Sequence, residues 1–326
     1  MNAHSLTSPL AGRVALVAGA TRGAGRGIAR MLGEAGATVY CTGRSVRGRP
    51  ATEGRPETLE ETAAMVDAKG GEGIAVRVDH TVPAEVEALV ARIRAERGRL
   101  DILVNDVWGG DALVEWGRPF WEVDLERGRT LLERAVFSHV VTARHAAPLM
   151  RETSARTGRG LIVEITDGDG YGYRGNVWYD LVKTSVIRLA FIWHRELRDT
   201  AIASVAVTPG FLRSEAMLDH FGVTEATWRD GARTDPNFLA SETPAFVGRA
   251  VAALAADPDV RRKSGRVFAS WTLAREYGFT DADGSRPDWG EHFARTYGTR
   301  TRDGRELRPC DEGFYAYWDV SAMDLL

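Results

Sequence analysis

Apolar and polar positions along this 326-residue chain follow two rhythms. Short unbroken apolar runs read as buried parallel strands, and longer stretches with apolar residues three and four apart read as helices covering them. The first run, Arg13-Val14-Ala15-Leu16-Val17-Ala18, closes on a glycine-rich turn, and helical spacing through Ile28, Ala29, Met31 and Leu32 then fills 24–35 and stops at Gly36. Ala37 to Thr42 is the second strand. The same reading predicts helices over 57–69, 84–97, 126–152, 177–198 and 245–256, and strands over 73–78, 100–105, 161–165, 202–207 and 266–269. Strands alternating with helices predict an α/β fold, a doubly wound parallel sheet flanked by helices on both faces. No repeat or low-complexity linker interrupts the pattern. The expectation is therefore a single domain over 1–326, with a core of about 10–270 and a C-terminal extension, 271–326, packed on it.

Composition narrows the function classes. A net charge of −3 gives no global basic field for nucleic acid or an anionic membrane, and no apolar stretch reaches membrane-spanning length. Cys41 and Cys310 are too few for a disulfide framework and wrongly spaced for a metal; Cys41, inside an apolar run, reads as a core residue. Met1 to Leu10 lacks a basic segment followed by an apolar one, so a cytoplasmic protein acting on a small molecule is expected.

The turn after the first strand, Gly19-Ala20-Thr21-Arg22-Gly23-Ala24-Gly25, places backbone N–H groups and a helix N-terminus where a pyrophosphate can lie, which makes the sheet Rossmann-type. A site for NAD usually holds the adenosine ribose with an acid closing the second strand, but here that place reads Thr42-Gly43-Arg44. Arg44 and Arg22 instead offer guanidinium groups to a 2′-phosphate, so NADP(H) is expected over NAD(H).

Downstream, Tyr179-Asp180-Leu181-Val182-Lys183 puts a phenol and an ammonium on one helix face. Of the 42 lysines and arginines only Lys69, Lys183 and Lys263 are lysines, so chance gives roughly 0.07 such pairs. An adjacent ammonium is expected to lower the phenol's pKa and let Tyr179 pass a proton near neutral pH.

In order and spacing, the turn Ala18 to Gly25, Val78-Asp79-His80, Leu103-Val104-Asn105, the Tyr179/Lys183 pair and Thr208-Pro209-Gly210-Phe211 resemble the short-chain dehydrogenase/reductase family over roughly 10–270. The resemblance implies that Gly19, Thr21, Arg22, Gly23, Ala24, Gly25 and Arg44 hold the dinucleotide. It implies that Asp79, with His80 beside it, binds the adenine edge and that Asn105 steadies the neighbouring strand. It further implies that Lys183 bonds the nicotinamide ribose and that Pro209, Gly210, Phe211 and Ser214 flank the nicotinamide. Packing of the two long helices as a homodimer or homotetramer seam is implied as well.

Three departures stand out. Family members usually carry a serine about a dozen residues before the tyrosine, and here Asp167 stands there, with Thr166 the only nearby hydroxyl. Either Thr166 replaces the serine in a carbonyl reduction, or Asp167 is functional, as in the pteridine reductases that this pattern resembles, or Asp167 merely turns the chain before Gly168. A carboxylate repels a developing alkoxide and stabilises a protonated imine. Second, the asparagine that holds a relay water in the family falls near Ala135, leaving solvent or Ser138, while His139 and His145 read as packing residues. Third, Asn105-Asp106-Val107-Trp108-Gly109 places Trp108 near the nicotinamide. Trp108, Trp178 and Phe211, with Tyr171, Tyr173 and Trp228, predict an aromatic-lined substrate pocket. The leading expectation is an NADP(H)-dependent oxidoreductase acting on a ketone or alcohol carbon, with Tyr179, Lys183 and Thr166 or Asp167 as catalytic residues. The alternatives are an imine reductase using Asp167 and a silent NADP-binding sensor.

Overall fold

The computed structural model describes residues 8–52, 54–169 and 173–297, and the backbone of 300–302 and 305–307. Its elements in chain order are β1 (Val14–Ala18), α1 (Gly23–Glu34), β2 (Thr38–Gly43), α2 (Leu59–Asp67), β3 (Glu72–Arg77), α3 (Pro83–Arg97) and β4 (Ile102–Asn105). There follow α4 (Leu125–Leu132), α5 (Ser138–Thr157), β5 (Gly160–Ile165), α6 (Val177–Glu196), β6 (Ile202–Thr208), α7 (Glu215–His220), α8 (Pro244–Ala256), β7 (Val267–Ala269), α9 (Ser270–Tyr277) and α10 (Trp289–Tyr297). A short antiparallel pair, 300–302 with 305–307, comes last.

β1 to β7 form one parallel sheet in the order β3-β2-β1-β4-β5-β6-β7. The chain winds outward from β1 in both directions, so a crevice opens where β1 and β4 lie side by side, with Ala18 paired to both Thr42 and Asn105. The unbroken apolar runs have a direct cause. Along β1, Ala15 and Val17 face a core under α1 and α8, whereas Val14 and Leu16 face a second core under α3 and α5. Helices α1 and α8 cross tightly because a Cβ on Gly27 would fall 1.9 Å from the Pro244 carbonyl oxygen. Cys41 lies wholly inside.

One predicted element divides. The helix expected over 126–152 is α4, then a π-helical turn, Glu133–Phe137, then α5 running on to Thr157. A π-turn adds a residue to the helical repeat and frequently marks a functional segment. In the extension, α9 and α10 pack against the core through Trp271, Phe246 and Trp289. Among the described residues, no helix is long and apolar enough to cross a membrane.

Candidate active site

The C-terminal ends of the strands open into a cleft of about 1020 Å³, lined at one end by Gly19, Thr21, Arg22, Gly23, Ala24, Arg44 and Asp79 and at the other by Asp167, Tyr179 and Lys183. The glycine turn is shaped by close backbone approach. A Cβ at Gly19 would lie 2.3 Å from the Asp106 carbonyl oxygen, while one at Gly23, where φ is +58°, would meet only the Ser214 Cβ at 3.8 Å. The first turn of α1 lines the cleft at Gly23 and Ala24, where a phosphate would meet the helix N-terminus. Arg22 and Arg44 both reach this end, where Arg44 pairs with Asp79 at 3.7 Å and Arg22 bonds Thr52 Oγ1 at 2.8 Å. Arg134, from the π-turn, lines it as well and donates to the Gly109 carbonyl. These donors fit a nicotinamide dinucleotide. One anion of the chain itself stands nearby: Glu215 Oε2 accepts the Gly23 N–H at 2.8 Å.

At the reactive end, Asn176 caps α6 through the amides of Trp178 and Tyr179, which fixes the start of the helix carrying Tyr179 and Lys183. The phenol donates to Asp167 Oδ2 at 2.8 Å. Three aromatic rings converge: Trp108 lies 5.4 Å and Trp116 5.0 Å from the Tyr179 ring, centroid to centroid. The Lys183 ammonium sits 4.6 Å over Trp108 and 5.5 Å from the Tyr179 centroid.

The electrostatics correct one expectation. Burial first, then the Asp167 carboxylate, push the Tyr179 phenol well above its ordinary pKa, so in the free protein it is not made acidic by Lys183. Lys183 is itself pulled down by burial, against the opposing pull of Asp167 and Asp106. Asp106, which sequence reasoning passed over, lies half-buried at the cleft wall, and desolvation there pushes its carboxyl up to about 7 despite Lys183.

Thr166 and Asp167 have different partners. The Thr166 hydroxyl donates to the Lys183 carbonyl at 2.7 Å and is committed to the backbone of α6, whereas Asp167 meets the phenol. Behind them Glu164, fully buried on β5, accepts from Asn105 Nδ2 at 2.8 Å and Trp193 Nε1 at 3.0 Å and contacts His139 Nδ1 at 2.7 Å. His139 reaches the Val107 carbonyl with its other nitrogen, at 3.1 Å, and so ties α5 to the segment carrying Trp108.

Several anticipated residues stand elsewhere. Asn105 is buried in this network and does not line the cleft. Gly25 faces the turn beneath it, where a Cβ would fall 2.3 Å from the Gly19 carbonyl oxygen. His80 forms part of the wall, but its ring is held between the Thr42 and Thr142 hydroxyls, each at 2.8 Å, and burial drives its pKa down to about 3. Trp178 packs over Gly128 in the cluster with Leu131 and Val182, away from the cleft, because the helix turns it opposite Tyr179. Trp228 is buried under Arg213 and Tyr173 is exposed, neither lining the cleft, while Tyr171 lies outside the described residues. Pro209, Gly210, Phe211 and Ser214 do line it. The remaining aromatic wall comes from Trp116 and from Trp271, Trp289 and Phe293 on α9 and α10; Trp289 meets the Phe211 ring edge-on at 5.6 Å.

Residues 13–221 match the family model for short chain dehydrogenases. The chain is similar to dehydrogenase/reductase SDR family member 1 of Mus musculus, 35% identical over 284 residues that cover 86% of each chain. The Homo sapiens protein of that name is 33% identical over 283 residues, again 86% of each. In fold, it is similar to a short chain dehydrogenase from Mycobacterium thermoresistibile, with a TM-score of 0.70 at 22% identity, covering 86% of this chain and 92% of that one.

Proposed function

The chain belongs to the short-chain dehydrogenase/reductase family, and from that premise we propose that it moves a hydride between NADP(H) and a ketone or alcohol carbon of a hydrophobic or aromatic small molecule. One observation carries this reading: Tyr179, Lys183 and Asp167 meet at the end of a cleft whose other end holds a phosphate-shaped turn and two arginines. The dinucleotide would supply or accept the hydride at its nicotinamide carbon. In the reducing direction the Tyr179 O–H gives its proton to the substrate heteroatom, and Lys183 stabilises the phenolate left behind. Trp108 and Trp116 exclude water around the phenol, and Phe211 and Trp289 wall the substrate. Arg22 and Arg44, with no acid closing β2, support NADP(H) over NAD(H).

A second reading draws on the 2.8 Å bond between Tyr179 and Asp167. A carboxylate beside the phenol opposes an alkoxide and welcomes a protonated C=N nitrogen, so an imine is the alternative substrate. Mixing the protein with NADPH or NADH, followed by nicotinamide fluorescence and turnover of a panel of ketones, quinones and imines, separates the readings. Ketone turnover with NADPH supports the first and imine turnover alone the second. Binding of NADPH without turnover of any compound would leave a nucleotide sensor.

A further inference from the structure

Between the nicotinamide-side loop and the C-terminal extension lies a buried carboxyl that the reaction does not use. Glu242, only 1% exposed, precedes α8, and its Oε2 accepts the Gly210 N–H at 2.9 Å and the Ser270 hydroxyl, at the start of α9, at 2.5 Å. Its backbone is bound to the same loop, since the Glu242 N–H donates to the Phe211 carbonyl and the Arg213 N–H to the Glu242 carbonyl. Both parts that it touches line the cleft: Pro209 to Leu212 on one side, and Trp271, Trp289 and Phe293 of α9 and α10 on the other. They also press on one another, for a Cβ at Gly210 would lie 2.8 Å from the Trp289 Cβ and 3.1 Å from Glu242 Oε2. The next residue, Thr243, is tied to Asp281 of the extension by its amide and hydroxyl.

We propose that Glu242 is a positioning residue that clamps the Pro209–Phe211 loop to the extension, so that the cofactor face and the aromatic substrate wall are ordered together. The physical logic is that loops with few apolar contacts open readily unless a buried, shared hydrogen-bond acceptor holds them. Glu242 Oε1 has no hydrogen-bond partner among the described residues, so the side chain's own hold runs through one oxygen shared by two donors. Burial, with Asp281 adding to it and Ser270, Gly210 and Arg213 opposing, pushes this carboxyl up to about 8. A released carboxyl ionises from its ordinary value near 4.5, so the closed clamp, which keeps the group neutral, is favoured most below that pH and loses ground as pH rises to about 8.

The cofactor consequence rests on the function proposed above, whereas the clamp itself does not. Amide hydrogen exchange at Gly210 to Arg213 and across α10 is therefore measured in the full-length protein, in Ser270→Ala and in Glu242→Gln. Dinucleotide affinity is read separately from about pH 5 to 9. The expected result is exchange at least tenfold faster in both segments in Ser270→Ala, a change too small to unfold the domain. An NADPH affinity that declines as pH rises from about 5 to 8 and levels off above it in the native protein, and stays flat in Glu242→Gln, is expected alongside. Unchanged exchange in Ser270→Ala overturns the clamp. Absence of any dinucleotide binding by the native protein overturns the proposed function and leaves the exchange result to decide the clamp alone.

Discussion

The two ends of the cleft are built in different ways. The dinucleotide end is made by the tips of β1 and β2 and the first turn of α1, all regular elements in parallel register. The substrate end is made by residues 106–116, 165–169 and 209–217 and by the extension, which are turns, loops and short helices laid across one another. A backbone cradle tolerates many side chains once the strand–turn–helix geometry is set. A pocket of side chains depends instead on each ring and carboxyl being placed by its own neighbours.

Substitutions at either end should therefore separate cleanly. Tyr179→Phe is expected to lower kcat roughly 10²-fold or more while NADPH binding, followed by nicotinamide fluorescence, stays near normal. Normal turnover in that variant would remove the phenol from the mechanism. Asp167→Asn deletes the negative charge that helps to hold the phenol protonated. Its pKa then falls, so the alkaline decline of the reduction rate moves to lower pH, with a rate change of about tenfold at neutral pH. An unshifted pH–rate profile would show that Asp167 does not govern the phenol.

The remaining two tests act on the cradle. Arg44→Ala should weaken NADPH about tenfold and leave NADH within a factor of about two, by titration of each coenzyme. Equal losses for both would place Arg44 away from the 2′-phosphate. Glu215→Gln removes a carboxylate from the N-terminus of α1 and should tighten NADPH about threefold, an effect that shrinks as salt rises. Weaker binding instead would mean that Glu215 supports the turn.

The same contrast decides what could be read from the chain. Strand and helix periodicity located β1 to β7 within a residue or two, because each strand is apolar on both faces and each helix on one. Gly19, Arg44, Tyr179 and Lys183 line the cleft as the sequence predicts, because strand ends and helix spacing fix where they lie, whereas the sequence alone leaves Thr166 and Asp167 open. Trp178 was misplaced next to a correctly placed tyrosine, since neighbours on a helix diverge by about 100°. Trp116 comes from a loop whose path is set by tertiary contacts, whereas Trp289, Phe293 and Tyr297 recur at helical spacing along α10, a signal that the sequence carries. Glu242 shows no local sign of its burial, which arises only when the segment after β6 and the extension close over it.

Glu164 has a mechanical consequence. By taking bonds from β4, α5 and α6 at one carboxylate, it joins the pieces bearing Trp108, Asp167 and Tyr179 into a stiff block. The groups around the phenol are thereby held to one another through buried hydrogen bonds of the protein itself.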